Sequence, residues 1–281
     1  MFAASYAKIN LFLEVLGKRP DGYHEVNTVM SSIDLCDSIK YALTKKPLIK
    51  LWSNRVELES DDNLICQIAS YLQSAYQIEG GLEIVLEKRI PIAAGLGGGS
   101  SNAAITLLAL NRLWELDLGD DELNRIAARF GSDINFFLGG GTALARGRGE
   151  SILPLGDIEL SHILLVNPGL HISAAEAYRL IDHDYPIRDW SPGDELSKCH
   201  NRLEPGIRKV YGVVDEILSY MDSFNPRLSM MSGSGSTCFA IFEGDKPLAR
   251  CKAHFDQRGY WTHQTRTLTR EEYQKCFQSL N

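Results

Sequence analysis

The stretch PIAAGLGGGSSNAA, Pro91 to Ala104, holds four glycines and two serines within seven residues. Leu82–Lys88 before it alternates apolar and charged residues, as a β-strand does, and the apolar run Ala103–Trp114 after it predicts a helix. Glycines in this position let an anion approach the main chain, and a helix start offers unpaired N–H groups and a positive dipole end. The sequence therefore predicts a phosphate-binding loop, with Ser100 and Ser101 at the start of the helix.

This loop differs from the two commonest phosphate-binding patterns. No lysine follows the glycines, as a Walker A loop requires, and the spacing of Gly95, Gly97 and Ser100 lacks the third glycine of the dinucleotide-binding pattern. A glycine-rich turn that serves only close packing is the alternative interpretation. If the loop binds phosphate for catalysis, its lysine has to come from elsewhere in the chain.

Composition argues against several classes of function. The formal charge is −7, whereas binding to a nucleic-acid duplex or an anionic membrane normally needs a clustered basic surface. A small anionic ligand remains compatible with this charge. No apolar run reaches membrane-spanning length and the N-terminus lacks a secretory signal pattern, so a cytoplasmic location is expected. Six scattered cysteines indicate reduced thiols. No set of metal ligands is identified, and the oligomeric state is left undetermined.

Strands and helices alternate along the chain, which predicts an α+β fold in two domains, 1–156 and 157–281. A change in composition near Gly156–Ser161 marks the boundary. In the first half, two separate strands are expected, Tyr23–Met30 and Ser32–Ala42.

Three helical or irregular segments are also expected. Asp120-Asp121 is expected to cap a helix, and the apolar positions from Ile207 to Met221 are expected to form one helical face. Asp182–Leu203 is rich in charges and prolines, and it is expected to be irregular.

Three polar residues outside the loop are candidates for a site. Lys8 and Asn10 lie two apart on a predicted first strand, so their side chains share one face. Taken alone, Lys8 fits an ordinary edge lysine in solvent. Asp133 follows a helix end and precedes an apolar, strand-like run, and both a turn role and a functional role remain open for it.

Three separated stretches resemble the three motifs of the GHMP kinases, which phosphorylate galactose, homoserine, mevalonate and related alcohols. They are AKINLFL at Ala7–Leu13, the glycine stretch, and MSGSGSTCFAIF at Met231–Phe242. The resemblance implies a ribosomal-S5-like N-terminal domain, a ferredoxin-like C-terminal domain and an active site in the cleft between them. GKRPDGYHEVN at Gly17–Asn27 and GSDINFF at Gly131–Phe137 are most similar to family members whose small-molecule substrate is a cytidine diphosphate methylerythritol.

The resemblance implies roles for individual residues. Lys8 and Asp133 match the family's catalytic pair, and Asn10 and Gly235 would line the cleft near the reacting alcohol and its diphosphate. Tyr23 and Tyr178 would sandwich the cytosine, and His24 would read its hydrogen-bonding edge. ATP and Mg2+ are the implied cofactors. The implied ATP site comprises Asn63, Leu64, Lys88, Pro91, Ile92, Ala93, Ala94, Gly95, Leu96, Gly97, Gly98, Gly99, Ser100 and Ser101.

Two other functions stay open. Another GHMP kinase, specific for homoserine or a mevalonate-type alcohol, has the same three motifs, but it has no use for the cytosine contacts implied at Tyr23 and His24. A nucleotide-binding protein that has lost the chemistry is the other alternative, and the presence of both Lys8 and Asp133 weighs against it.

Overall fold

Two β-sheets organise the chain, and the computed structural model describes residues 1–181, 186–191 and 196–278. The strands of the described residues are β1 Phe2–Lys18, β2 His24–Thr44, β3 Ile49–Ser53, β4 Gly81–Glu87, β5 Thr142–Gly147, β6 Ser151–Pro154, β7 Ile163–Asn167, β8 Leu228–Met231, β9 Cys238–Ile241 and β10 Trp261–Thr265. The α-helices are α1 Leu64–Ala75, α2 Gly98–Leu113, α3 Asp120–Phe130, α4 Ile134–Gly139, α5 Ala174–Arg179, α6 Glu204–Val210, α7 Gly212–Asp222, α8 Asp245–Gln257 and α9 Arg270–Gln278. Short 3₁₀ turns lie at Val56–Leu58 and Leu196–Lys198.

The first sheet is built around the long strand β2. β1 runs antiparallel along one edge of β2, and the other edge pairs with β5 over Val26–Ser31 and with β4 over Ser38–Thr44. β3 lies parallel beside β4, and β6 lies antiparallel beside β5. Helices α1 to α4 pack on one face of this sheet, where Ile84, Ile105 and Phe137 are among the buried residues.

β2 is one continuous strand, so the prediction of two separate strands is wrong. Ser31 and Ser32, at the expected break, both pair with β1, and the Ser31 hydroxyl lies 3.2 Å from the Thr142 hydroxyl. Because both residues remain paired with β1, nothing ends the strand there. The irregularity lies further along instead, where a bulge leaves Asp34 and Leu35 without partners in β1.

The second sheet has the strand order β10-β7-β9-β8 and is antiparallel throughout. Leu164 and Val166 of β7 share a core with residues of α5 to α8, whereas Ile163 and Leu165 share one with residues of β1 and β2. Both faces of this sheet are therefore buried, which explains the unbroken apolar run of β7. The α+β class is confirmed, while the boundary between 156 and 157 stays a prediction.

Asp133 precedes a helix instead of the strand-like run that was expected. Helix α4 buries Ile134 and Phe137, which are three residues apart and so lie on one face. A short apolar run fits either structure by its pattern alone, and packing against the first core favours the helix here.

Two other helix predictions are wrong in detail. Gly119 precedes α3, and Asp120 and Asp121 lie inside its first turn, where they face the positive end of the dipole without capping it. The single helical face expected up to Met221 is split at Tyr211, where the backbone is not helical. The Tyr211 hydroxyl donates to the Glu176 carboxylate at 2.6 Å. Val210, beside the break, is exposed.

The expected irregular segment 182–203 lies partly outside the described residues. Residues 186–191 have no regular structure, and residues 196–198 form a 3₁₀ turn. In the described part of the chain, no helix is both long and apolar enough to cross a bilayer.

The last helix returns to the first half of the chain. Tyr273 of α9 is fully buried in the first core, and its hydroxyl donates to the Phe137 carbonyl at 2.7 Å. Gly140 has a φ of 62°, and a Cβ there would lie 2.2 Å from the Tyr273 ring. The C-terminal helix therefore closes the core beneath α4.

We expect Tyr273→Ala to lower the free energy of unfolding by about 3–5 kcal/mol, because it removes a large buried aromatic side chain. Tyr273→Phe removes only the hydroxyl and should cost about 1 kcal/mol. Urea unfolding of both variants measures the difference. An unchanged midpoint for Tyr273→Ala would contradict the docking of α9 on this core.

Candidate active site

The glycine loop leads directly into α2. Gly97 has a φ of 69° and precedes the first helical residue, Gly98, so the helix begins two residues before Ser100, where its start was predicted, and five before the apolar run from Ala103. The Ser101 N–H already donates to the Gly97 carbonyl at 2.9 Å. In a helix of this register, the N–H groups without an intrahelical acceptor are those of Gly98, Gly99 and Ser100. These three groups could donate to an anion at the helix start.

At two positions of the loop, both the positive φ and the lack of room for a Cβ atom require glycine. Gly95 has a φ of 77°, and a Cβ there would lie 2.0 Å from the Ser232 carbonyl oxygen. A Cβ on Gly97 would lie 2.7 Å from the Phe137 ring. At Gly99, by contrast, no heavy atom lies within 4 Å of the Cβ position. Close packing therefore explains Gly95 and Gly97 but not Gly99, which faces open space beside the helix start.

One cavity, of about 340 Å³, borders this helix start. We call it the glycine-loop cavity. It is lined by every residue predicted for ATP except Leu96 and Ser101, and also by Leu58 and Asn102. Leu96 is buried between the sheets, and the Ser101 hydroxyl is buried 2.7 Å from that of Ser5. The predicted residues thus lie together, while these two side chains face the interior.

A second cavity, of about 450 Å³, contains the other polar candidates, and we call it the Lys8 cavity. Its lining includes Lys8, Asn10, Thr28, Asp133, Arg148 and Tyr178. Ala93, Gly95 and Gly97 line both cavities. The glycine loop is therefore the common wall between them.

The Lys8 ammonium lies beside this common wall. Lys8 Nζ donates to Asn10 Oδ1 and, at 3.1 Å, to the Gly95 carbonyl, and it forms an ion pair with Asp133 Oδ2 at 3.6 Å. The predicted shared face of Lys8 and Asn10 is confirmed. Burial lowers the pKa of Lys8, and the Asp133 carboxylate partly offsets that effect.

Asp133 is held at the start of α4 without capping that helix. Its side chain makes no capping hydrogen bond, and it is 38 % exposed, whereas that of Lys8 is only 4 % exposed. The carboxylate borders the Lys8 cavity with one oxygen directed at the buried ammonium. This geometry favours a functional role for Asp133 over the turn role left open by the sequence.

The second glycine-serine loop, residues 232–237, docks on the first. The Ser232 hydroxyl donates to the Gly95 carbonyl at 2.9 Å, and the Thr237 N–H donates to the Ala94 carbonyl at 3.3 Å. Gly233 and Ser234 line the Lys8 cavity. Gly235, predicted for this cleft, lies outside that lining, and a Cβ there would meet the Met231 sulfur at 2.5 Å.

Of the three aromatic side chains predicted to contact a base, only Tyr178 lines the Lys8 cavity. His24 stacks on it, with ring centroids 4.7 Å apart and planes 12° apart, so one face of Tyr178 is already covered. Tyr23 is 55 % exposed, with the Arg148 guanidinium over its ring. Burial and the Asp133 charge raise the pKa of Tyr178 to about 12.

Several lining residues were not predicted. Thr28 accepts a hydrogen bond from Asn10 Nδ2 at 2.8 Å, and its hydroxyl donates to the Phe12 carbonyl. Arg148 lies in the turn between β5 and β6, and Ser173 at the start of α5 also borders the cavity. No sequence pattern singled out Thr28, because its strand contains other polar residues, among them Asn27. The other two come from turns whose partners are distant in sequence.

Comparison with known proteins identifies the class. Residues 63–145 match the family model described as GHMP kinases N terminal domain, and residues 188–260 match the GHMP kinases C terminal model. A 4-diphosphocytidyl-2-C-methyl-D-erythritol kinase of Geobacillus kaustophilus is 43 % identical over 257 residues, covering 87 % of this chain and 89 % of that protein.

Solved structures agree. The protein in a crystal structure of 4-(cytidine 5'-diphospho)-2C-methyl-D-erythritol kinase is 32 % identical in sequence to this chain. The two structures superpose with a TM-score of 0.79, and the match covers 95 % of this chain and 100 % of that one. The Methanococcus jannaschii mevalonate kinase is 16 % identical with a TM-score of 0.68, covering 96 % of this chain and 98 % of that one, and shows the fold alone. The chain belongs to the GHMP kinase family. It is a kinase with the two-domain fold that the motifs predicted.

We expect Gly99→Ala and Gly97→Ala to separate anion access from packing. Gly99→Ala should fold at least as stably as the wild type, because alanine favours the helix, yet bind ATP more weakly because its methyl group occupies the open space at the helix start. Gly97→Ala should lose stability through its positive φ and its contact with Phe137. Thermal unfolding and calorimetric titration with ATP measure both effects. Unchanged ATP affinity in Gly99→Ala would contradict phosphate binding at this helix start.

Proposed function

We propose that this chain transfers the γ-phosphoryl group of ATP to the 2-hydroxyl of 4-diphosphocytidyl-2-C-methyl-D-erythritol, a step in the synthesis of isoprenoid precursors. The substrate follows from the names of the relatives at 32 % and 43 % identity. ATP would occupy the glycine-loop cavity, and the cytidine compound would occupy the Lys8 cavity.

The observation that carries this proposal is the position of the Lys8–Asp133 pair. Both residues border the Lys8 cavity, beside the glycines that also line the glycine-loop cavity. A phosphoryl group held at that common wall and a hydroxyl group held in the Lys8 cavity would meet next to the Asp133 carboxylate. Such positioning, together with charge stabilisation, is the main source of rate in phosphoryl transfer.

In the proposed step, the 2-hydroxyl oxygen forms a bond to the γ-phosphorus while the bond to the β,γ-bridging oxygen breaks and ADP leaves. Asp133 accepts the hydroxyl proton, for which its exposed carboxylate is accessible. Lys8 orients that carboxylate and offsets the negative charge on the transferred group. Positioned proton transfer of this kind contributes about 100- to 10,000-fold in rate.

The nucleotide is proposed to bind as its Mg2+ complex. Among residues 1–181, 186–191 and 196–278, no three His, Cys, Asp or Glu side chains cluster in a way that could hold a metal ion. Mg2+ commonly binds through phosphate oxygens, waters and at most one or two carboxylates. We therefore treat MgATP as the substrate, with the phosphates held by the N–H groups of Gly98, Gly99 and Ser100. Asn63, Leu64 and Lys88 are proposed at the adenine end.

The cytosine is proposed to bind beside Tyr178. Tyr178 lines the Lys8 cavity and His24 covers one face of its ring, so the opposite face is the surface proposed for stacking. Tyr23 and His24 remain the proposed second stacking surface and edge reader, and Tyr23 would have to move inwards from its exposed position. Asn10 and Gly235 remain proposed near the reacting alcohol and its diphosphate.

The test is a phosphorylation assay with ATP that offers the cytidine compound, homoserine and mevalonate in parallel. We expect turnover of the cytidine compound alone, because neither simpler alcohol can use the aromatic surface. Phosphorylation of homoserine or mevalonate but not of the cytidine compound would assign the chain to another GHMP activity.

Asp133→Asn tests the mechanism in the same assay. It keeps the size of the side chain but removes the base, so we expect kcat to fall at least about 100-fold while ATP affinity, measured by calorimetry, stays within about twofold. Retained turnover would refute Asp133 as the base. If the chain is instead a non-catalytic nucleotide-binding protein, both the wild type and Asp133→Asn should bind ATP, and neither should phosphorylate any of the alcohols.

A further inference from the structure

Behind the glycine-loop cavity lies a carboxylate that the proposed mechanism does not use. Asp37, on β2, is fully buried. Its Oδ1 accepts the main-chain N–H groups of Arg89 at 2.7 Å and Ile90 at 2.9 Å. Its Oδ2 accepts Asn102 Nδ2 at 2.9 Å and the Lys88 ammonium. Four donors thus converge on one buried side chain.

These donors come from the two walls of the glycine-loop cavity. Lys88 to Ile90 form the segment between β4 and the glycine loop, and Asn102 lies in the first two turns of α2. Lys88 and Asn102 both line the cavity, and Lys88 Nζ also donates to Asn102 Oδ1 at 3.1 Å. Asp37 therefore joins the wall that follows β4 to the wall formed by the helix start.

The position of Lys88 depends on this carboxylate. A Cβ on Gly98 would lie 2.8 Å from Lys88 Nζ, so the ammonium lies directly beneath the first residue of α2. Burial lowers the pKa of Lys88, and Asp37 acts in the opposite direction. A buried ammonium that loses its carboxylate loses its charge, or moves towards water.

We propose that Asp37 is a positioning residue for the nucleotide: it sets the spacing between Lys88 and the start of α2, and so the shape of the cavity that receives ATP. It acts through Lys88, Asn102 and the main chain at Ile90, and it does not touch the ligand. This inference rests on the proposed function, because it takes ATP as the occupant of that cavity.

Asp37→Asn distinguishes the roles of the two carboxylate oxygens of Asp37. The amide oxygen can still accept from Arg89 and Ile90, but the amide nitrogen would face the donors of Lys88 and Asn102. We expect the Kd for ATP to rise roughly tenfold or more, an effect of the size given by one lost charged hydrogen bond. At saturating ATP, kcat and the KM for the alcohol should stay within about threefold, because Lys8 and Asp133 lie in the other cavity.

Asp157→Asn is the control for a carboxylate that holds main-chain N–H groups away from both cavities, although Asp157 is exposed and Asp37 is buried. Asp157 also accepts two main-chain N–H groups, from Thr142 at 3.1 Å and Arg270 at 2.9 Å, and it lines neither cavity. It should lose stability without a change in the Kd for ATP. If the Kd for ATP rises in both Asp37→Asn and Asp157→Asn in proportion to the fall in melting temperature, the proposal is overturned.

A double-mutant cycle with Lys88→Met tests the route. If Asp37 acts through Lys88, Asp37→Asn should raise the Kd for ATP much less in the Lys88→Met background than in the wild type. If the effects of Asp37→Asn and Lys88→Met on the binding free energy of ATP are fully additive, Asp37 does not act through Lys88. Should Asp37→Asn fail to fold, Asn102→Ala, which removes one donor to Asp37, should raise the Kd by a smaller factor.

ATP binding by the wild type shows whether a negative result counts against the role of Asp37 or against the proposed function. If the wild type does not bind ATP, the proposed function fails. If the wild type binds ATP and a folded Asp37→Asn binds it equally well, the positioning role of Asp37 fails while the proposed function stands.

Discussion

A buried ammonium needs acceptors, and Lys8 takes its acceptors from three separate parts of the chain. Asn10 lies on the same strand, the Gly95 carbonyl belongs to the glycine loop, and Asp133 stands at the start of α4. Leaving such a charge unpaired inside the protein would cost several kcal/mol. The first strand, the glycine loop and α4 must therefore keep their relative positions for the fold as well as for the site.

The same loop is held from the second half of the chain. Ser232 and Thr237 donate to carbonyls of the glycine loop, and the close approach of Ser232 leaves no room for a side chain at Gly95. The two sheets also share a core, in which Ile9 of β1 and Leu165 of β7 are both buried. Each cavity is thus bounded by a loop that both halves support, which gives a physical basis for coupling nucleotide binding to alcohol binding.

Local sequence patterns predicted much of this site. The run of glycines between a strand and a helix predicted an anion site, and the two-residue period of a strand put Lys8 and Asn10 on one face. The start of α2 lies earlier than predicted because glycine has a low helix propensity, so the sequence did not mark Gly98 and Gly99 as helical. Asp37 went unnoticed for a related reason. It is one of several acids in β2, and all its donors come from residues 88–102, which only the folded sheet brings to it.

In the proposed reaction, phosphoryl transfer takes place across the common wall formed by Ala93, Gly95 and Gly97. A crystal structure with the cytidine compound and a non-hydrolysable ATP analogue tests it most directly. We expect the triphosphate at the N–H groups of Gly98 to Ser100, the cytidine compound in the Lys8 cavity, and an Asp133 carboxylate oxygen about 2.6–3.2 Å from the 2-hydroxyl. Both ligands in one cavity, or an Asp133 carboxylate too far from that hydroxyl for a hydrogen bond directly or through one water, would contradict it.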